Sequence, residues 1–129
     1  MVRPARRRRA ELPPGAGFAG TTPEDDIVSY GYIASMKTKP GHRDDVVAIL
    51  TGGADGLRRA GCYQYLVGVS AADDVTIWVS EVWESKQHHD ASLQLPETKA
   101  AIARAMPMLT GEFTGAELTV AGGLGVPGA

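Results

Sequence analysis

The stretch Val75–Pro96, VTIWVSEVWESKQHHDASLQLP, constrains the fold of this chain more than any other. Its first part, Val75 to Val82, has the β-branched content of a strand and ends in Trp83. Side chains alternate across a strand, so Ile77 and Val79 fall on one face while Trp78 and Val82 fall on the other. A strand that is apolar on both faces needs cover on both. Beyond Trp83, the polar run Glu84-Ser85-Lys86 opens a helix that carries His88 and His89, with the hydroxyl of Ser92 three residues past the second histidine. This helical region extends from Ser85 to Ala105, but Pro96 lacks an amide hydrogen and should break or kink it into two shorter helices.

The other segments fit around this strand and helix. Ile27 to Met36, IVSYGYIASM, predicts a first strand with Tyr30, Tyr32, Ala34 and Met36 on one face. Lys39-Pro40-Gly41 turns the chain into a helix over Arg43 to Ala60, where Val46, Leu50, Gly53 and Leu57 recur at helical spacing. Gly52-Gly53 inside it costs about 1 kcal/mol per glycine relative to alanine, which implies a bend or the close approach of another backbone. Gly61 ends that helix, and Cys62 to Val69 is a second strand, folded back through SAADD onto Val75–Trp83 as an antiparallel hairpin. A last strand is expected around Thr114 to Ala121.

The resulting order, β-α-β-β-α-β, is the α+β ferredoxin-like arrangement, an antiparallel sheet with both helical layers on one side. Two helices cover only one face. The apolar second face of the third strand therefore predicts a homodimer packed sheet against sheet. One domain is expected over residues 27–123, between a basic, proline-rich tail over 1–26 and a short tail over 124–129.

Charge and composition exclude several classes. Five arginines lie within the first nine residues, yet the chain carries 13 basic against 15 acidic residues, so the remainder is net acidic. With no aromatic residues interleaved among the arginines, no nucleic-acid partner is expected. No apolar run approaches the roughly 20 residues that span a bilayer, and no continuous apolar segment follows the arginines to make an export signal. The expected setting is cytoplasmic, without a membrane partner. Cys62 is the single cysteine and has no ligand at zinc-finger spacing, so it reads as a space-filling thiol. His88 and His89 lack the i, i+4 spacing of paired ligands, so no metal is expected.

On a helix, the two histidines point about 100° apart, so at most one is central to a site. His89, Ser92 and Pro96 form one stripe. A neutral His89 imidazole can accept a proton, with Ser92 or Asp90 as the orienting partner; the alternative is a surface histidine paired with Glu84 or Glu97. Glu81 shares a strand face with Trp83 and is either paired with a cation or functional. Tyr32, Tyr65, Trp78, Trp83 and Met36, with Tyr30 and Tyr63, either line a pocket for a flat aromatic molecule or fill the core.

Three pieces together, Met36-Lys-Thr-Lys-Pro-Gly, Gly61-Cys-Tyr-Gln-Tyr and Ser80-Glu-Val-Trp-Glu-Ser-Lys-Gln-His-His-Asp-Ala-Ser-Leu, give a pattern that resembles the antibiotic biosynthesis monooxygenase domain, a family also met as quinol monooxygenases. The resemblance covers roughly residues 27–123 and implies a dimeric α/β barrel. It further implies oxygenation of a quinol or polyphenolic aromatic by molecular oxygen without metal, flavin or other cofactor, with His89 as base or anion partner and Ser92 and a pocket tyrosine orienting. Tyr32, Tyr65, Met36, Trp78 and Trp83 would then surround the substrate. Many members carry a His or Trp where this chain has Ser92. The haem-degrading branch uses an Asn, a Trp and a His at positions that here are Ala34, Ser92 and Ile102, which argues against haem degradation. A non-catalytic binding or stress-response module of the same fold, and an isomerase or decarboxylase, stand as alternatives.

Overall fold

A computed structural model describes residues 29–127; the arginine cluster and the expected strand start at Ile27 lie outside the described residues. The order of elements is β1 (Tyr30–Thr38), α1 (Arg43–Gly52), α2 (Ala54–Arg59), β2 (Cys62–Val69), β3 (Thr76–Trp83), α3 (Lys86–Ser92), α4 (Pro96–Ala105), a 3-10 turn (Met106–Met108) and β4 (Leu109–Thr119). The strands form one sheet in the order β2-β3-β1-β4, with every neighbouring pair antiparallel, which is the ferredoxin-like topology.

The core lies between this sheet and the helices. Val46 of α1, Ile77 and Val79 of β3 and Ala105 of α4 are its buried centre, with Met36, Leu50, Tyr65 and Val67 packed around them. The double glycine produces a bend: α1 stops at Gly52, α2 begins at Ala54, and a side chain at either glycine would meet nothing within 4 Å. Pro96 sits at the first turn of α4, where its missing amide hydrogen costs nothing, and the break precedes it.

Two strand ends differ from expectation. β1 continues to Thr38, and β4 begins at Leu109 rather than near Thr114. Thr38 pairs with Leu109 and Met36 with Phe113, so residues 110–112 bulge opposite Lys37, with Gly111 at φ 95°. A bulge of this kind needs a residue tolerant of positive φ, and it hides the strand from a search for simple alternation.

The face away from the helices carries Ile33, Leu66, Trp78 and Leu118, all substantially exposed. After β4 the chain crosses one end of this open face. Val120 packs over Gly31, and the Gln64 side chain of β2 donates to the Leu124 carbonyl.

Gly61 joins α2 to β2 at φ 105°, and a Cβ there would stand 2.7 Å from His88 Cδ2. Gly61→Ala should therefore lower stability by about 1–2 kcal/mol from the backbone alone, with the collision adding to it. In denaturant melts, a His88→Ala background should recover the collision and leave the backbone cost; an unchanged midpoint in Gly61→Ala would refute this.

Candidate functional site

The adjacent histidines take different jobs. Ser85 caps α3 by accepting the His88 amide hydrogen at 3.1 Å, and its hydroxyl also lies 2.6 Å from His88 Nδ1. His88 is thereby drawn over the start of the helix, against Gly61 and 3.6 Å from Glu84. His89 points instead to the sheet. Its ring lies 5.2 Å from that of Tyr30, 5.4 Å from Tyr32 and 5.7 Å from Trp83, the last edge-on, and its side chain is only 12% exposed.

Each imidazole nitrogen faces a carboxyl group. Nδ1 is 2.9 Å from Asp90 Oδ1, and this hydrogen bond is the main cause holding the Asp90 carboxyl below its usual range. A carboxylate only accepts, so Nδ1 carries the hydrogen of this bond, and in the neutral imidazole the lone pair falls to Nε2. Nε2 faces Glu81 Oε1 at 4.0 Å, beyond hydrogen-bonding reach. That oxygen accepts the indole N–H of the fully buried Trp83 at 2.8 Å, which fixes the carboxyl group. Register places Glu81 between Tyr32 of β1 and Tyr65 of β2.

A charged layer joins α3 to β4 beside His89. Lys86 Nζ donates to Glu117 Oε2 at 2.9 Å, lies 3.6 Å from Asp90 and stands 5.4 Å above the Tyr30 ring. The Tyr30 hydroxyl donates to the same Glu117 oxygen at 2.8 Å. Burial first, and then this bond to Glu117, raise the Tyr30 phenol above the ordinary tyrosine range, so it stays protonated. Lys86, and after it Tyr30, hold the Glu117 carboxyl low.

Of the residues singled out in the sequence, His89, Tyr32 and Trp83 come together. Ser92 is buried beside them, but its hydroxyl donates to the His89 backbone carbonyl at 2.6 Å. It braces the helix and does not orient the imidazole; Asp90 does that. Trp78 does not join them either. It stands five positions before Trp83, an odd offset, so it projects from the open face, 47% exposed. Tyr65 flanks Glu81 from β2, its phenol pushed up to about 12 by burial and then by Glu81. Met36 packs on the core opposite Phe113. Lys86, Gly115 and Glu117 were not legible as site residues, because the pairing of β4 with β1 places the latter two and no local signal reports it.

The remaining groups stand apart from His89. Burial pushes the Cys62 thiol up to about 11, which keeps it protonated and a weak nucleophile. A shallow open depression between α2 and β2, with Asp55, Arg58 and Tyr63 on its rim, does not include His89. Among the described residues, no three His, Cys, Asp or Glu side chains are grouped to hold a metal ion, and no helix is long and apolar enough to cross a membrane.

The sequence model for the antibiotic biosynthesis monooxygenase domain matches residues 29–104. The chain belongs to that family. Among solved structures, an antibiotic biosynthesis monooxygenase family protein of Chloroflexus aurantiacus J-10-fl is 39% identical, with a TM-score of 0.66 over 74% of this chain and 95% of its own. Proteins under the same family name from Caulobacter crescentus CB15 (19% identity, TM-score 0.68, 74% and 92% covered) and Nitrosomonas europaea (12%, 0.68, 72% and 90%) share the fold. No curated protein matches.

The arrangement of this family member predicts the tautomer of one ring. In a long-range proton–nitrogen correlation spectrum at mildly alkaline pH, His89 should appear with hydrogen on Nδ1 and none on Nε2. Hydrogen on Nε2 would mean that Asp90 does not set the ring, and Asp90→Ala should shift the wild-type population toward that form.

Proposed function

We propose that the protein is a cofactor-independent monooxygenase that oxidises a quinol or polyphenolic small molecule with molecular oxygen. The observation that carries this reading is the placement of His89 Nε2, 4.0 Å from Glu81 among three aromatic rings, with Asp90 engaging the other ring nitrogen. A substrate hydroxyl reaching the neutral imidazole meets Nε2 as its acceptor, beside a Glu81 oxygen already engaged by the Trp83 indole N–H. Nε2 takes its proton, and the aromatic walls leave the resulting arenolate poorly hydrated and electron-rich.

The arenolate reduces oxygen, and a carbon–oxygen bond forms at a ring carbon that bears hydrogen. His89 returns its proton to the distal peroxide oxygen. Loss of the carbon-bound proton then breaks the oxygen–oxygen bond: one oxygen atom stays as a quinone carbonyl and the other leaves as water. The substrate supplies all four electrons, so the balance closes without a further reductant. Asp90 fixes the tautomer, and Trp83 fixes Glu81.

We also propose that the protein works as a homodimer, since Ile33, Leu66, Trp78 and Leu118 on the open face need a cover that the chain itself supplies only at one end. Trp78 would then belong to the contact between subunits.

Oxygen uptake by metal-stripped protein across a panel of hydroquinones and polyphenols tests the reaction. His89→Ala should lower kcat about 100- to 10,000-fold, the usual worth of a positioned acid–base group. Ser92→Ala should stay within about tenfold of wild type, since its hydroxyl serves the helix. Equal turnover by His89→Ala would remove it as the base, while ligand-induced thermal stabilisation without any product would favour a binding module.

A further inference from the structure

We infer that Tyr32 is an internal occupant of the ring site beside His89, and that a flat hydroxylated aromatic binds by displacing the Tyr32 phenol from its seat on Gly115. This deepens the oxygenase reading by naming where the substrate ring lies, and it rests on that reading for its choice of ligand.

The β1–β4 register pairs Ala34 with Gly115, and the flanking pairs on the same face are Met36 with Phe113 and Tyr32 with Glu117. Cross-strand partners stand side by side, so the Ala34–Gly115 pair is a low floor between two taller walls. Tyr32 leans over that floor. A Cβ on Gly115 would collide with the Tyr32 hydroxyl and lie 3.0 Å from Cζ. Gly115 does not adopt the left-handed backbone that would itself demand glycine; the space taken by the phenol is what excludes a side chain.

Tyr32 and Tyr30 stack nearly parallel at 6.5 Å and both touch His89, yet they are held differently. The Tyr30 hydroxyl is anchored on Glu117. The Tyr32 hydroxyl has no hydrogen-bond partner among the described residues, so ring contacts alone keep it in place, and rotation breaks no polar bond. The outer wall, Phe113, is 53% exposed, which leaves a way in. A phenol that replaced the Tyr32 ring would lie about where that ring lies, 5.4 Å from the His89 imidazole. The protein's own phenol thus competes with its substrate, and affinity falls by the fraction of time the seat is filled.

Binding of 2-naphthol, a planar phenol followed by its fluorescence under anaerobic conditions, tests this. Tyr32→Ala should bind it at least about tenfold more tightly than wild type, the gain expected if the seat is open a tenth of the time or less. Adding Gly115→Val to Tyr32→Ala should abolish that gain by filling the floor. In the wild-type protein, saturating 2-naphthol should erase the nuclear Overhauser contact between the Tyr32 and His89 rings, a readout that does not depend on any variant folding. A surviving contact, no tighter binding by folded Tyr32→Ala, or equal binding by the double variant would each overturn the inference. Because no turnover is involved, these failures are separable from an inactive His89 panel, which would sink the oxygenase reading and leave the seat intact.

Discussion

A four-stranded sheet with all its helices on one side sorts every strand residue by parity, and that sorting governs both halves of this molecule. The sheltered side receives Tyr30, Tyr32, Glu81, Trp83, Gly115 and Glu117, and α3 lowers His89 onto them. The bare side receives Ile33, Leu66, Trp78 and Leu118, with no helix to cover them. A one-residue slip in β3 would exchange Trp83 for Val82 and Glu81 for Ser80, and the imidazole would lose both its edge-on ring and its facing carboxyl group.

Within the sheltered side, hydrogen bonds restrict each group of the candidate site to one arrangement. Asp90 dictates which nitrogen of His89 carries hydrogen, and the indole of Trp83 occupies Glu81 without protonating it. Lys86 and Glu117 tie the helix to the far edge strand. Nε2 of His89 is thus left facing Glu81 across 4.0 Å, without a hydrogen-bond partner among the described residues.

Much of this could be read from residues alone. Element order followed from periodicity and from glycine and proline punctuation, and the apolar content of both faces of β3 pointed to a sheet needing two covers. That at most one of the two histidines turns toward the sheet was legible, but which one depends on the Ser85 cap and the contact of His88 with Gly61. Ser92 was misleading because a hydroxyl on the right stripe can equally serve its own helix, as it does here. Lys86, Gly115 and Glu117 escaped notice since their meaning lies in the pairing of β1 with β4, strands separated by most of the domain, and a bulge at Gly111 disguises where β4 begins.

The proposed homodimer rests on the difference between the faces, since the bare one leaves a large apolar surface in water unless a second copy covers it. Light scattering of the purified chain at micromolar concentration measures this most directly. Twice the chain mass is the predicted result, falling to the single mass when Trp78→Glu places a charge in the middle of the bare face. A stable single chain at that concentration would contradict it.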